Sequence, residues 1–237
     1  MTKIVFSPLK IEFCGCNKVI TDCIEDHIIG FVHKLLGDNN QWHDNFSEYN
    51  VSDIYGYKVV KNGICFPDGG YFYVTSTDNN FLNTLVVNLC KMQEELTLCG
   101  MKLKKFSFAD GVELCKDYDI IHVSRLLLKS HDEYKTYKDA DFIDILTEQS
   151  KKKLLKMGYE EKDVKNFNIT PFHFENAKLR VSKRKNFSHP TSDVMLAVRG
   201  KEDCRSSLYS IGLGNSTGYC FGTVELPRNN KAYNINF

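Results

Sequence analysis

The feature that most restricts how this 237-residue chain can fold is an order of element types that runs through once and then again. Across residues 3–13, Ile4, Phe6, Ile11 and Phe13 sit at strand-type apolar positions, with Pro8 marking a bulge or an edge. Asp22 can cap a helix in which Ile24, Ile28, Phe31, Val32, Leu35 and Leu36 recur at helical spacing until Gly37. After a polar loop over 38–50, the spans 56–66 and 70–76 read as a hairpin joined across Pro67-Asp68-Gly69-Gly70. A second helix runs from Asp78 to about Met92, and 95–108 return as a strand. The order is β-α-β-β-α-β.

The second half follows the same order. Residues 118–128 read as a strand, and 141–157 as a helix opened by Asp141 or Thr147 and closed at Gly158. The spans 172–184 and 192–200 read as a hairpin around a polar, basic loop, followed by a short helix over 203–211 and a last strand over 218–226. Two such units predict an α+β protein of two tandem ferredoxin-like domains, residues 1–112 and 113–237, with the boundary near 110–117.

Composition narrows the function classes. No apolar run approaches the ~20 residues that span a bilayer. The N-terminal MTKIVFSPLKIEF has neither a long apolar region nor a small-residue cleavage site, so it reads as a strand and the expected location is the cytoplasm, away from membranes. Nine scattered cysteines are an odd number and argue against a disulfide framework. Cys14-Gly15-Cys16 has no second pair at zinc spacing, so the expectation is reduced, mostly buried thiols, no metal and no cofactor. Charge is uneven: residues 1–118 carry 11 Lys/Arg against 15 Asp/Glu, and 119–237 carry 20 against 15. Lys178, Arg180, Lys183, Arg184, Lys185, Arg199, Lys201 and Arg205 concentrate the excess, which suggests a face for a polyanion.

The most specific local motif is Gly212-Leu213-Gly214-Asn215-Ser216-Thr217-Gly218-Tyr219-Cys220-Phe221-Gly222, just before the last strand. Its glycines let a backbone approach a ligand closely, and successive N–H groups in such a loop can cradle phosphate. It is not a nucleotide phosphate loop, because no lysine follows in register, nor a dinucleotide fingerprint, because it leads into a strand. The R-G-F-G-F-V type of signature of an RNA-recognition domain is absent as well.

A G-Φ-G-x-x-x-G-Φ-x-Φ-G loop feeding the last strand of a second ferredoxin-like unit resembles the hallmark of the CRISPR-associated repeat-processing endoribonucleases of the RAMP superfamily. Several other stretches resemble that family in the expected order: the helix DHIIGFVHKLLG over 26–37, the pair Trp42-His43, Asn62 to Pro67, Gly69 to Val74, and Leu146 to Gly158. The resemblance implies metal-independent cleavage of CRISPR precursor RNA within its repeats, leaving 2′,3′-cyclic phosphate and 5′-hydroxyl ends. CRISPR repeat RNA is then the partner, with a CRISPR effector or adaptation complex as a further one. An RNA-binding effector subunit that does not cut is the alternative.

Histidine suits this chemistry because imidazole titrates near neutral pH and can give or take a proton. The resemblance places His43 at the family's usual catalytic histidine and His33 where some relatives have a catalytic tyrosine. Where relatives carry a lysine a few residues later, this chain has Ser47, Glu48 and Tyr49, so Tyr49 stands as a replacement donor. For RNA binding the candidates are Lys178, Arg180, Lys183, Arg184 and Lys185 on the basic hairpin and Lys152 and Lys156, four apart on one helix face. Gly212, Gly214, Gly218 and Gly222 of the loop complete the set.

Overall fold

The computed structural model describes residues 5–37, 40–42, 48–184 and 187–226. Within them lie two main antiparallel sheets, each backed by two helices. Strands β1 (Leu9–Phe13), β2 (Tyr49–Val51), β3 (Gly70–Ser76) and β4 (Met101–Phe108) run in the order β2-β3-β1-β4 in the first sheet, with the short strand Thr97–Leu98 at the edge beside β4. This is the interleaving a β-α-β-β-α-β unit adopts when α1 (Ile24–Leu36) and α2 (Asn79–Met92) cross on one face. Alternation decides which side of β1 is buried: Leu9, Ile11 and Phe13 enter the core while Lys10 and Glu12 stay outside it. Phe13 stacks on Phe72 at 5.9 Å and meets Phe31 of α1 edge-on at 5.3 Å. Asp78 caps α2 by accepting from the Asn80 amide, whereas α1 opens at Cys23 and the expected cap, Asp22, holds His27 instead.

The second strand of this unit differs from the sequence expectation. Span 56–66 does not pair with β3. Its strands, Lys58–Val60 and Gly63–Phe66, join Cys16–Ile20 in a separate three-stranded sheet. The turn at Pro67–Gly70 exists, with Gly69 at φ +94°, but it connects two sheets and not two hairpin partners. The edge of β3 is taken by Tyr49, Asn50 and Val51, all buried, from the stretch that reads as a polar loop. Asn50 can be buried there because its amide donates to the carbonyls of Thr217 (2.8 Å) and Phe221 (2.9 Å), far along the chain.

The second sheet has the order β6-β8-β5-β9, from β5 (Tyr118–Leu126), β6 (Asn168–Phe172), β8 (Phe187–Arg199) and β9 (Thr223–Glu225), with β7 (Lys178–Arg184) beside β8. The two halves of β8 have different partners. Met195 to Arg199 pair with β6 inside the domain, while Phe187 to Asp193 pair with β7 to make a protruding arm. The expected hairpin of 172–184 with 192–200 is therefore corrected: the core partner is 168–172, and much of the expected loop is strand. Helices α3 (Phe142–Lys156) and α4 (Glu202–Ile211) cover the sheet.

Each sheet has its own core, yet the chain crosses between them twice. Phe6 packs into the second core, its strand Val5–Phe6 pairing with Val112–Glu113, and Cys220 packs into the first. Arg205, expected on the basic face, is instead fully buried and paired with Asp119, which also accepts from the Tyr209 hydroxyl at 3.1 Å. None of the nine cysteines forms a disulfide, and the expectation of mostly buried thiols is corrected: only Cys204 and Cys220 are buried, the others lying partly or fully exposed. No described helix is long and apolar enough to cross a membrane.

Asn50→Leu should strand the Thr217 and Phe221 carbonyls at a cost of roughly 1–3 kcal/mol each. Urea denaturation measures this; an unchanged midpoint would show that the two bonds contribute nothing net.

Candidate nucleic-acid interface

The glycine loop is a packed joint. Helix α4 ends at Gly212, with φ +75°, and the loop closes on itself where the Leu213 amide donates to Gly222 O at 2.9 Å. A side chain at Gly212 would begin 2.7 Å from Asn50 Nδ2, and one at Gly222 would overlap the Leu213 carbonyl. Gly214 presses on the Leu127 carbonyl in the same way, and Gly218 is buried in the single 3-10 turn Thr217–Tyr219. Amides of Asn215 and Gly222 donate to Leu127 O and Arg125 O. The glycines thus serve close packing, Gly212 against Asn50 of the first domain and Gly214 and Gly222 within the second.

The outer edge of the loop is different. Gly214, Asn215, Ser216 and Thr217 face Gln149, Lys152, Lys153 and Lys156 of α3 across a cavity of about 330 Å³. The lysine face and the glycine loop, separate features in the sequence, form one site. Lys153 ties the walls together by donating to Gly212 O at 3.0 Å, and burial of its ammonium pulls its pKa down to about 7.

Among the catalytic candidates, His43 lies outside the described residues. Its neighbour Trp42 is anchored: the indole donates to Asp78 Oδ2 at 2.7 Å, and its ring meets Phe81 edge-on. His33 sits half-buried in the last turn of α1. Tyr49 is buried, its ring stacked on Phe81 at 4.5 Å inside the first core. On the arm, Lys178 and Arg180 are exposed, and Arg180 pairs with Asp193. The side chains of Lys183 and Arg184, and the whole of Lys185, lie outside the described residues.

Two constellations escaped sequence reasoning. Arg125 is buried at the domain junction, paired with Glu25 and Asp53 of the first domain, bonded to Ser182 Oγ of the arm at 3.0 Å, and 5.3 Å over the Phe221 ring. Burial raises the pKa of Glu25, but Arg125 and the Cys23 thiol outweigh it and hold the group below the usual range; for Asp53 burial wins and the pKa rises. The other is a cleft of about 760 Å³ between the sheets, lined by Tyr55, Tyr71, Tyr73 and Glu225. Tyr55 stacks on Tyr71 at 5.2 Å and donates to Glu225 Oε1, and His122 Nδ1 lies 3.6 Å from Glu225 Oε2. Only the alternation of Tyr71 and Tyr73 with buried Phe72 and Val74 could have signalled this face.

Residues 121–226 match the family model for CRISPR associated protein Cas6, C-terminal. No curated protein sequence matches the chain. In fold, the chain is similar to a solved CRISPR associated protein Cas6 at 17% identity, covering 93% of this chain and 99% of that one, with a TM-score of 0.69. It is also similar to the product of a Cas6-related gene from Pyrococcus furiosus (17% identity, 93% and 98% covered, TM-score 0.73). A third is a RAMP protein binding different RNA substrates (15% identity, 93% and 99% covered, TM-score 0.70). At these identities the likeness is one of fold, and it extends over both domains.

The Cas6 C-terminal match takes in α3, the arm, α4 and the glycine loop, so the lysine cavity lies wholly within it. Glu225, just inside its end, holds His122 above the ordinary imidazole pKa of 6.5. A raised histidine stabilises the fold below pH 6.5 and loses that contribution as pH rises through the folded value; with both groups partly exposed the effect on stability is small. NMR titration should find His122 above 6.5 and Glu225→Gln should lower it; identical titrations would dissolve the pair. Arg125→Met, which leaves Glu25 and Asp53 buried without a cation, should cost about 3–5 kcal/mol in chemical denaturation.

Proposed function

We propose that this chain is a metal-independent endoribonuclease that binds CRISPR repeat RNA and cuts it once per repeat. The observation that carries the reading is the junction of the glycine loop with the lysine face of α3 inside a Cas6 C-terminal domain. Its structural neighbours include the RAMP protein described as binding different RNA substrates and Cas6 proteins in product and substrate-mimic complexes. Lysine and arginine contacts to phosphate position an RNA without reading it. Lys178, Arg180, Lys183, Arg184 and Lys185 on the arm would grip the backbone. Gly212, Gly214, Gly218 and Gly222 would shape the loop that meets it. Tyr71 and Tyr73 of the cleft offer rings on which unpaired bases can stack.

In the reaction, the 2′-hydroxyl attacks the adjacent phosphorus as the bond to the 5′-oxygen breaks, giving a 2′,3′-cyclic phosphate and a 5′-hydroxyl. One group must take the 2′-OH proton and another must protonate the departing 5′-oxygen. His43 is the first candidate for one of these roles, because it follows Trp42 at the position of the family's usual catalytic histidine. His33 is the candidate for the other.

A second reading, an RNA-binding subunit of a CRISPR effector complex that does not cut, is favoured by one observation. Tyr49, the replacement for the family's lysine, is committed to the core. Labelled repeat RNA incubated in EDTA separates the two. Wild type should cut once per repeat, and His43→Ala should slow cleavage by ~10²–10⁴-fold while RNA affinity survives. A 2′-deoxy nucleotide just upstream of the cut should abolish it. Wild type that binds but never cuts establishes the second reading, and undiminished cutting by His43→Ala moves the chemistry elsewhere.

A further inference from the structure

RNA cleavage makes no use of the motif Cys14-Gly15-Cys16. The fold brings its second cysteine to a third one. β1 runs antiparallel to β4 with Phe13 opposite Leu103, and one step on, the Cys14 amide donates to Lys102 O at 2.9 Å. Each step forward on one strand is a step back on the other, so the same register sets Cys16 opposite Gly100. The side chain follows it: Cys16 Sγ lies 3.6 Å from the point where a Cβ on Gly100 would stand.

Gly100 is the second residue of a two-residue turn. Leu98 pairs with Met101, and between them Cys99 and Gly100 both take a left-handed backbone, φ +52° and +90°. A hairpin turn of this hand favours asparagine, aspartate or glycine in first place and glycine in second. Cysteine in first place has no such propensity to explain it, and its Cβ is disfavoured in that hand. With no side chain on Gly100, Cys16 sits directly against the turn that carries Cys99. Both thiols are half-buried on the rim of the first core, near enough for charge on one to act on the other. The stem of Lys18 comes within 3.7 Å of the same Gly100 position, and its charge favours a thiolate at Cys99.

We propose that Cys16 and Cys99 are a reversible redox pair, whose sulfurs join in a disulfide under a peroxide and part again under a thiol reductant. Burial outweighs Lys18 and pushes the Cys99 thiol up to about 11, so Cys99 is protonated at neutral pH and acts second. The Cys16 thiolate attacks one oxygen of hydrogen peroxide, and the O–O bond breaks to leave a sulfenic acid on Cys16 and a hydroxide. That hydroxide takes the Cys99 proton, and the Cys99 sulfur displaces the sulfenic oxygen as a second hydroxide. The second hydroxide takes up the proton that Cys16 lost on ionising. Two thiols are thus oxidised by two electrons, and one peroxide is reduced to two waters. The bond ties the start of the strand Cys16–Ile20, and with it the three-stranded sheet, to the hairpin beside β4. It closes a loop that contains α1, β2, β3 and α2, which restricts the unfolded chain.

The full chain tests this. Reduced protein is treated with hydrogen peroxide, its remaining thiols are blocked with N-ethylmaleimide, and a digest is mapped by mass spectrometry. A peptide linking Cys16 to Cys99 should appear, with a raised urea midpoint that dithiothreitol returns to the starting value. Cys16→Ser and Cys99→Asn, the latter a residue the turn favours, should lack both the link and the rise. Cys14→Ser and Cys90→Ser, which remove the exposed thiols, should keep both. A map that joins Cys16 to Cys14 overturns the pair. So does one in which Cys99 is recovered blocked from protein whose Cys14 and Cys90 have been oxidised.

Discussion

Arg125 is the residue on which the joining of the two domains turns. The register of β5 against β8 shifts between Val123 and Leu126, and Arg125 within that break takes a left-handed backbone, φ +49°. Such a break re-aims a side chain that regular pairing would leave in the sheet. Here it sends the guanidinium to Glu25 and Asp53 across the junction and to Ser182 on the arm, while the main chain accepts from Gly222 and donates to Asp193. One residue thereby meets α1, the segment after β2, the arm and the glycine loop. A buried cation with two carboxylates is costly to desolvate and costlier to break, so the cluster selects one arrangement of the parts more than it adds stability.

Asn50 does the same for the loop with neutral chemistry. Its amide spans the carbonyls of Thr217 and Phe221, so the loop's inner edge is set by the first domain and its outer edge, 214–217, is left to face α3. The glycines are needed because nothing larger fits between these surfaces. Close packing uses the loop's inner side and leaves its outer side facing α3.

Charge follows the same logic of position over count. Pairing leaves the basic excess of the second half unchanged but commits some of its cations, since Arg205 serves Asp119 in the core, Lys201 meets Asp163 and Arg180 meets Asp193. The cavity that Lys152, Lys153 and Lys156 line includes no carboxylate among its described residues, although the lysine run looks in sequence like the solvated side of an amphipathic helix.

The sequence by itself determined the order of the elements, both helix pairs, most of the two cores and the places where only glycine could stand. Those features rest on local regularities: periods of two and 3.6, capping residues and turn chemistry. Tertiary structure alone decided that 49–51 and not 56–66 completes the first sheet, because Asn50 is buried by partners some 170 positions away. It alone took Tyr49 into the core, brought the α3 lysines to the glycine loop and made Arg125 the tie between domains. A polar residue looks exposed in any local pattern, and only the distant groups that satisfy it show that it is buried.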